Sequence, residues 1–201
     1  MLKNLRMTKR VGIFGGTFDP VHIGHLIIGQ EIMLQCALDR VVFMPSGDPP
    51  LKRTMASAED RAMMVGLAVR DYPGFVLSQF ELSRSGKSYT IDTLRHLCRN
   101  MDEDTEIFLI IGADNAVEMG DWFDPEGVLD MARVLVAERP GFERERVDPA
   151  FKSRMQFVET PLLDISSTAI RERVRTGRPI SFYVPDAVAD YIRTHGLYLQ
   201  E

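Results

Sequence analysis

Two histidines follow a pair of glycines near the start of the chain. The segment reads Gly15-Gly16-Thr17-Phe18-Asp19-Pro20-Val21-His22-Ile23-Gly24-His25. Glycines after a strand let backbone N–H groups approach a ligand that a side chain would block, and the start of a helix favours anions. Because His22 and His25 are three residues apart, we expect them to share one helical face and to reach the same phosphate. The segment therefore predicts an anion site with two imidazole donors.

Other interpretations of the two histidines are weaker. Each one alone fits an ordinary surface or core residue, and together they could form a zinc pair. No third His, Cys or acidic residue lies at ligand spacing from them. No carboxylate occurs between Asp19 and Glu31 either. Since helix starts usually favour acidic residues, that gap fits an anion supplied from outside.

A second anion site is predicted near the C-terminus. The segment reads Ile165-Ser166-Ser167-Thr168-Ala169-Ile170-Arg171. Hydroxyls at a helix start cap the helix and can donate to phosphate oxygens. We expect Arg171 on the first turn, where its planar guanidinium suits a phosphate. The alternative is an ordinary serine cap beside a solvated arginine.

One phosphate-binding motif can be set aside. Gly86-Lys87-Ser88 resembles the end of a P-loop, but that loop needs a glycine five residues before Gly86, and Glu81 stands there. No predicted strand leads directly into the segment. It is therefore not predicted to be a Walker site.

The elements that position these residues alternate between strands and helices. Strands are predicted at 11–14, 41–44, 75–77, 107–111, 134–137 and 157–158, and helices at 20–36, 58–69, 90–99, 125–131, 167–175 and 185–194. Asp19 is expected to cap the first helix, with Pro20 at its first position. Residues 140–156 give no clear signal. Such alternation predicts an α/β fold with a doubly wound parallel sheet. Ligands of such sheets bind at the carboxyl ends of the strands, where Gly15-Gly16, Ser46 and Gly112 fall.

The composition restricts the class of protein. The chain has 201 residues, a net charge of −5 and 45% hydrophobic residues. We expect one domain with a small helical part over residues 165–201, and a basic N-terminal extension over residues 1–10 that could be disordered. Long nucleic acids are not expected as partners, because the chain lacks a basic balance. No apolar run is long enough to span a membrane. Two sparse cysteines, Cys36 and Cys98, are expected to be buried and reduced, which suits the cytoplasm.

The ordered set of motifs resembles the nucleotidyltransferase superfamily with the H-x-G-H signature, and most closely its bacterial nicotinate-nucleotide adenylyltransferases. The resemblance extends over nearly the whole chain. It is carried by residues 15–26, Pro45-Ser46, Pro49-Pro50, Lys52, Ser88-Tyr89-Thr90, residues 92–94 and 111–114, Trp122, Arg139-Pro140-Gly141, residues 165–171, Pro185 and Gly196-Leu197-Tyr198. It implies a Rossmann-like nucleotidyltransferase fold. H-x-G-H alone is moderately specific, whereas the ordered set is highly specific.

The resemblance also implies an activity and roles for residues. The activity is transfer of AMP from ATP to nicotinate mononucleotide, which gives deamido-NAD and pyrophosphate, with Mg²⁺ carried by ATP. The implied catalytic residues are His22, His25 and Arg171. The implied ATP-binding residues are Gly15, Gly16, Thr17, Phe18, Lys52, Gly112, Asp114, Arg139, Ser166 and Ser167. Residues Ser46, Tyr89, Thr90 and Trp122 would bind the pyridine mononucleotide. No residue is assigned to a metal, and homo-oligomerisation stays open.

The chain departs from this family at one position. Members often have His after the Pro-Pro pair, whereas Leu51 stands here, so a phosphate contact there would fall to Lys52 and the other groups. Three alternative functions follow from the same motifs: phosphopantetheine adenylyltransferase, an enzyme that prefers nicotinamide mononucleotide, and a non-catalytic nucleotide-binding protein. Phosphopantetheine adenylyltransferases usually have Thr at the place of His22 and lack the segments around Tyr89 and Trp122.

Overall fold

A computed structural model describes residues 9–49, 53–84, 86–138, 141–161 and 163–200 of the chain. Six parallel strands form one sheet in the order β3-β2-β1-β4-β5-β6. Helices cover both faces of this sheet. The architecture is the predicted doubly wound α/β fold, and its strand order is that of Rossmann-type sheets.

The bounds of the elements are as follows. The strands are β1 (Arg10–Gly16), β2 (Arg40–Pro45), β3 (Phe75–Leu77), β4 (Glu106–Gly112), β5 (Arg133–Glu138) and β6 (Met155–Glu159). The helices are α1 (Ile23–Gln35), α2 (Ala58–Val69), α3 (Thr90–Asn100), α4 (Ala113–Val117), α5 (Pro125–Met131), α6 (Pro149–Lys152), α7 (Ser167–Arg175) and α8 (Asp186–Thr194). Each predicted strand and helix is present.

Alternate residues of the central strands face two separate cores. In β1, Phe14 belongs to the core that contains apolar side chains of α1, α2, α7 and α8. Ile13 points to the opposite face and packs with those of α3 and α5. Because successive side chains of a strand point to opposite faces, strands with apolar residues at every position can anchor helices on both sides. Burial of one such large side chain contributes about 1.5–3 kcal/mol.

Two local predictions are wrong, those for the start of the first helix and for the burial of Cys98. The first helix does not begin at Pro20 but at Ile23, because the Asp19 carboxylate accepts hydrogen bonds from Met55 and Ala56 N–H instead of capping a helix. Cys98 is exposed because its neighbours on α3, among them Leu97, occupy the buried face of that helix. Cys36 is buried, as predicted.

Other differences concern the termini and the loops. The proposed extension 1–10 lies outside the described residues up to position 8, but Arg10 is the first residue of β1. Helix α4 and the short helix α6 were not predicted from the sequence. Both are too short to show a helical repeat of apolar residues. Over the part of the chain that the structure describes, no helix is long and apolar enough to cross a bilayer.

Candidate active site

The site lies where the chain changes direction across the sheet. Strands β1 and β4 are neighbours, and the chain continues from them towards opposite edges. In parallel sheets such a switch point leaves a crevice at the carboxyl ends of the two strands. Two cavities open at this edge, and Thr17, directly after β1, lines both of them.

The first cavity, which we call the phosphate cavity, has a volume of about 450 Å³. It brings together segments that are far apart in the sequence. Its lining residues are Thr17, Asp19, His22, Gly24, His25, Ile28, Arg53, Pro161, Leu163, Ile165, Ser166, Ser167, Thr168 and Arg171. Both predicted anion motifs therefore border one space. Arg53 adds a second guanidinium that the sequence analysis did not single out.

The two imidazoles of the phosphate cavity lie face to face. The rings of His22 and His25 are stacked, with their centroids 3.6 Å apart. The backbone N–H of His22 donates to Nδ1 of His25 at 3.2 Å. Since Nδ1 accepts, the neutral ring of His25 carries its proton on Nε2, which makes Nε2 the donor nitrogen. His22 is 5% exposed, so its ring is held in a narrow range of positions.

The structure corrects the reason for which His22 and His25 were expected to lie close together. His22 is not on a helical face: it is the N-cap residue of α1, with extended backbone angles φ −143° and ψ 168°. Gly24 explains how its ring fits beside the helix, because a Cβ at position 24 would lie 3.0 Å from His22 Nδ1. The proximity of the two rings thus depends on the turn into α1 and on the missing side chain of Gly24.

The start of α1 offers fewer N–H donors to an anion than expected. The N–H of Ile23 donates to the carbonyl oxygen of Tyr183 at 2.8 Å, and that of His22 is bound to His25. Gly24 lines the cavity at the second helical position. Side chains, rather than a row of backbone N–H groups, therefore provide most of the donors on this side.

The second anion motif forms the opposite wall. Ser166 is the N-cap residue of α7, and its Oγ accepts from Ala169 N–H at 3.2 Å. Ser167 Oγ donates to the carbonyl oxygen of Pro20 at 2.9 Å, so its hydroxyl proton is used within the protein. The backbone N–H groups at the start of this nine-residue helix remain suited to an anion.

Arg171 occupies the second turn of α7, not the first as predicted. Its side chain reaches back to the start of the helix, as helical side chains tend to point. Nη1 donates to the carbonyl oxygen of Asp19 at 2.7 Å, and Nη2 donates to Thr168 Oγ1 at 3.2 Å. A guanidinium has five N–H donors, so Arg171 can hold the loop and still face an anion.

The second cavity, which we call the acceptor cavity, has a volume of about 510 Å³ and lies on the other side of Thr17. Its walls come from the ends of β1 and β2 and from the residues around α3 and α4. The predicted residues among its lining are Gly15, Gly16, Thr17, Ser46, Tyr89, Thr90 and Trp122. A Cβ on Gly15 would meet no protein atom within 4 Å, so it would project into open space.

The aromatic wall of the acceptor cavity is formed by Tyr89, Trp122 and Phe123. The rings of Tyr89 and Phe123 pack at a centroid distance of 4.9 Å. Such a wall can stack on a flat heterocycle. Lys87 also lines the cavity. The segment Gly86-Lys87-Ser88 is therefore part of the site although it is no Walker motif.

Glu81 was not identified from the sequence as part of the site. Its carboxylate lines the acceptor cavity and accepts a hydrogen bond from Thr93 Oγ1 at 2.7 Å. Burial raises the pKa of this carboxyl, although hydrogen bonds from Thr93 and Ser88 partly oppose the shift. The group therefore holds its proton to a higher pH than an exposed glutamate does.

The loops that border the two cavities are connected by Arg61. This residue of α2 is 1% exposed, and it donates to the carbonyl oxygen of Thr17 at 2.8 Å and to that of Gly47 at 3.1 Å. Burial lowers its pKa, while the charge of Asp19 opposes that shift. A sequence signal was present: Arg61 shares a helical face with the apolar Val65 and Ala68, a place where an arginine needs buried partners.

Of the predicted ATP-binding residues that the structure describes, Phe18, Gly112 and Asp114 line neither cavity. The ring of Phe18 is buried against Phe14 and Phe43. Gly112 and Asp114 border neither cavity, and Asp114 is exposed. Lys52 and Arg139 lie outside the described residues, as does Leu51. Their assignment to ATP stays a prediction.

The fold and the site define an α/β nucleotide-binding protein with a phosphate cavity and an adjoining second cavity. The sequence profile of the cytidylyltransferase-like family matches residues 13–173, and the chain belongs to this family and, within it, to the nicotinate-nucleotide adenylyltransferases. A Roseiflexus sp. (strain RS-1) protein named as a probable nicotinate-nucleotide adenylyltransferase is 44% identical over 94% of this chain and 97% of its own length. A Moorella thermoacetica protein of the same name is 40% identical over 94% and 91%, respectively.

Solved structures show the same fold. The Plasmodium falciparum nicotinic acid mononucleotide adenylyltransferase, solved in complex with NaAD, superimposes with a TM-score of 0.79 over 96% of this chain and 98% of its own. Its sequence is 18% identical, so the likeness concerns the architecture alone.

Proposed function

We propose that this protein transfers the AMP moiety of ATP to nicotinate mononucleotide and releases pyrophosphate. The observation that carries the proposal is the position of Thr17, which lines both the phosphate cavity and the acceptor cavity. ATP in the phosphate cavity and nicotinate mononucleotide in the acceptor cavity would lie side by side at this point, with their phosphates next to each other. The names of the relatives agree with this substrate pair.

The reaction needs alignment more than proton transfer. An oxygen of the acceptor's phosphate attacks the α-phosphorus of ATP, a new P–O bond forms, and the bond to the bridging α–β oxygen breaks in line with it. The attacking phosphate is already an anion at neutral pH, so no general base is required. The protein must hold the two phosphates in line and stabilise the charge on the α-phosphate and the leaving pyrophosphate.

The phosphate cavity has suitable groups for this stabilisation. Nε2 of His25 is a donor, the adjacent His22 is fixed by stacking, and Arg53 and Arg171 bring two positive charges. Such preorganised donors are each worth about 3 kcal/mol of barrier when they act on developing charge. We assign His22, His25 and Arg171 to the transferred phosphate and the pyrophosphate, with Ser166 and Ser167 at the α7 start.

Mg²⁺ would enter with ATP as part of the substrate. The donors that line the phosphate cavity are imidazoles, hydroxyls and guanidinium groups, which suit phosphate oxygens and not Mg²⁺. Asp19, the acidic residue among the described residues of this lining, already accepts backbone N–H groups. Phosphate oxygens and water would therefore coordinate the ion, and its charge would offset that of the triphosphate.

The acceptor cavity suits an anionic aromatic nucleotide. Its aromatic wall offers a surface for the pyridine ring, and Lys87 offers a positive charge to the acceptor's carboxylate or phosphate. Glu81, Glu118 and Asp121 are the opposing features of this lining. The raised pKa of Glu81 reduces the negative charge that it presents. We assign Ser46, Tyr89, Thr90 and Trp122 to this substrate.

The proposal is tested with the purified full-length chain and Mg-ATP. Nicotinate mononucleotide, nicotinamide mononucleotide and phosphopantetheine are supplied in separate reactions, and the release of pyrophosphate and the adenylylated product are measured. We expect turnover with nicotinate mononucleotide at the highest kcat/KM. A higher kcat/KM with either other acceptor would replace the proposed substrate. Binding of ATP without turnover of any of the three would favour a non-catalytic nucleotide-binding protein.

A further inference from the structure

The last turn of the chain is attached to the phosphate cavity by one side chain. Tyr198 follows α8, has a positive φ of 65° and is 6% exposed. Its hydroxyl donates to Asp19 Oδ1 at 2.7 Å, across 179 positions of sequence. Burial, followed by the hydrogen bond to Asp19, raises the pKa of this hydroxyl. It therefore stays a protonated donor at neutral pH.

Asp19 is the acceptor for three separate segments. Its Oδ2 accepts from Met55 N–H at 2.6 Å, and its Oδ1 accepts from Ala56 N–H at 3.2 Å as well as from Tyr198. Its carbonyl oxygen accepts from Arg171 Nη1 at 2.7 Å. The residue is 2% exposed. A carboxylate buried to this extent is stable only with such a set of donors.

The segments that meet at Asp19 border the phosphate cavity. Asp19 itself lies between Thr17 and His22 in the chain, and Arg53 stands two residues before Met55, whose N–H Asp19 binds together with that of Ala56. Arg171 comes from α7. Asp19 thus links these groups: its carboxylate binds the segment that follows Arg53, its carbonyl oxygen binds Arg171, and the chain leads from it to His22. A small displacement of such groups can cost a large factor in rate.

We propose that Tyr198 is a positioning residue for ATP: its hydroxyl fixes the Asp19 carboxylate and, through it, the cationic groups of the phosphate cavity. This role rests on the proposed function, because it assumes that the cavity binds the triphosphate. Tyr198 does not line either cavity. It acts through Asp19 and does not touch the substrate.

The matched comparison is between Tyr198→Phe and Tyr191→Phe. Tyr191 is another tyrosine of the C-terminal segment, and its hydroxyl donates to Asp60 Oδ1 at 2.8 Å. Neither residue lines either cavity. Each substitution removes one hydroxyl and keeps the ring. For both variants and the wild type, Kd for Mg-ATP is measured by calorimetry without acceptor. The KM of each substrate, kcat and Tm are also measured.

We expect Tyr198→Phe to weaken Mg-ATP binding and to lower kcat/KM for ATP by about 10-fold, with KM for nicotinate mononucleotide unchanged. Tyr191→Phe should leave the ATP constants within about 2-fold of the wild type, even where its Tm falls. Asp19→Asn provides a second variant. If Tyr198 acts through Asp19, the effects of Tyr198→Phe and Asp19→Asn on ATP binding are not additive in the double variant.

The proposal would be overturned if Tyr198→Phe and Tyr191→Phe had equal Kd and KM values for ATP. It would also be overturned if Tyr198→Phe lowered kcat/KM for both substrates to the same extent. Failure of the proposed function has a different signature. A wild-type protein that binds Mg-ATP but does not turn over nicotinate mononucleotide would refute the activity, while the Kd comparison would still decide the role of Tyr198. Additive effects in the double variant would show that Tyr198 acts by another route.

Discussion

The rings of His22 and His25 stack 3.6 Å apart although only His25 belongs to the helix. His22, the N-cap residue, lies against Gly24, and its N–H binds Nδ1 of its neighbour. The pair is thus a rigid donor unit at the carboxyl edge of the sheet. If it contacts the triphosphate, small changes in its geometry should affect turnover more than folding.

Removal of the first imidazole tests the unit directly. We expect His22→Ala to lower kcat at least about 100-fold, because a preorganised donor to the transferred phosphate is lost. Steady-state kinetics gives kcat, and circular dichroism checks that the variant is folded. Turnover close to that of the wild type would remove His22 from the catalytic residues.

Gly24→Ala should disturb the same unit without removing a donor. The new Cβ would lie 3.0 Å from His22 Nδ1, so the ring must shift by a few tenths of an ångström. We expect kcat to fall about 10-fold or more with a smaller effect on Tm. Gly66→Ala is the control, because its Cβ would meet the end of the Leu77 side chain at 3.3 Å, away from the cavities. If Gly24→Ala and Gly66→Ala both kept the kcat of the wild type, the fit of the His22 ring against position 24 would not contribute to turnover.

Arg53→Ala and Arg171→Ala should both weaken the use of ATP, but they should differ in their effect on the stability of the protein. Arg53 is an exposed residue of the phosphate cavity, so Arg53→Ala is expected to raise KM for ATP about 10-fold with little change in Tm. Arg171→Ala should also lower Tm, because the carbonyl oxygen of Asp19 loses its donor. KM for the acceptor should change little in either variant.

Arg175→Ala is the control for these two substitutions. Arg175 lies on the same helix as Arg171, and its guanidinium pairs with Glu172 at the surface. A surface pair of this kind contributes about 0–1 kcal/mol, so kinetic constants near those of the wild type are expected. Equal losses for ATP and acceptor in Arg171→Ala would argue against its assignment to ATP.

The pH dependence of acceptor binding should depend on Glu81. Because its pKa is raised by burial, the carboxyl is neutral at a pH where an exposed glutamate is ionised. As the pH rises through that pKa, a negative charge appears in the acceptor cavity, so KM for nicotinate mononucleotide should rise. The unfolded chain releases this proton near the ordinary value of about 4.3, so stability should also fall as the pH rises from there to the raised pKa.

Glu81→Gln should flatten the dependence of stability between about pH 4.5 and the raised pKa, and the dependence of KM around the raised pKa. Steps of about half a unit from about pH 4.5 to about one unit above the raised pKa cover both. KM for ATP, measured in the same reactions, is the internal control and should show no difference between the variant and the wild type. An identical pH profile of the acceptor KM in both proteins would exclude Glu81 as the titrating group.

Local periodicity was enough to predict the elements of the fold. Runs such as Ile107–Ile111 are apolar at every position, which is typical of strands covered on both faces, and the helices between them show the helical repeat. The short helices within residues 140–156 and the short helix α4 escaped prediction because elements of three to five residues show no period. The start of α1 was misplaced because the Asp19-Pro20 pair matches a helix cap locally, whereas tertiary donors bind its carboxylate.

By itself the sequence determined the parallel sheet, the two anion motifs and their place at strand and helix ends, because these depend on residue type and on spacing along the chain. Only the tertiary structure decided that Arg53 joins the phosphate cavity, that Glu81 lines the acceptor cavity and that Tyr198 binds Asp19. Each of those relationships joins residues far apart in sequence, and a buried charge has no local pattern that shows which donor will satisfy it.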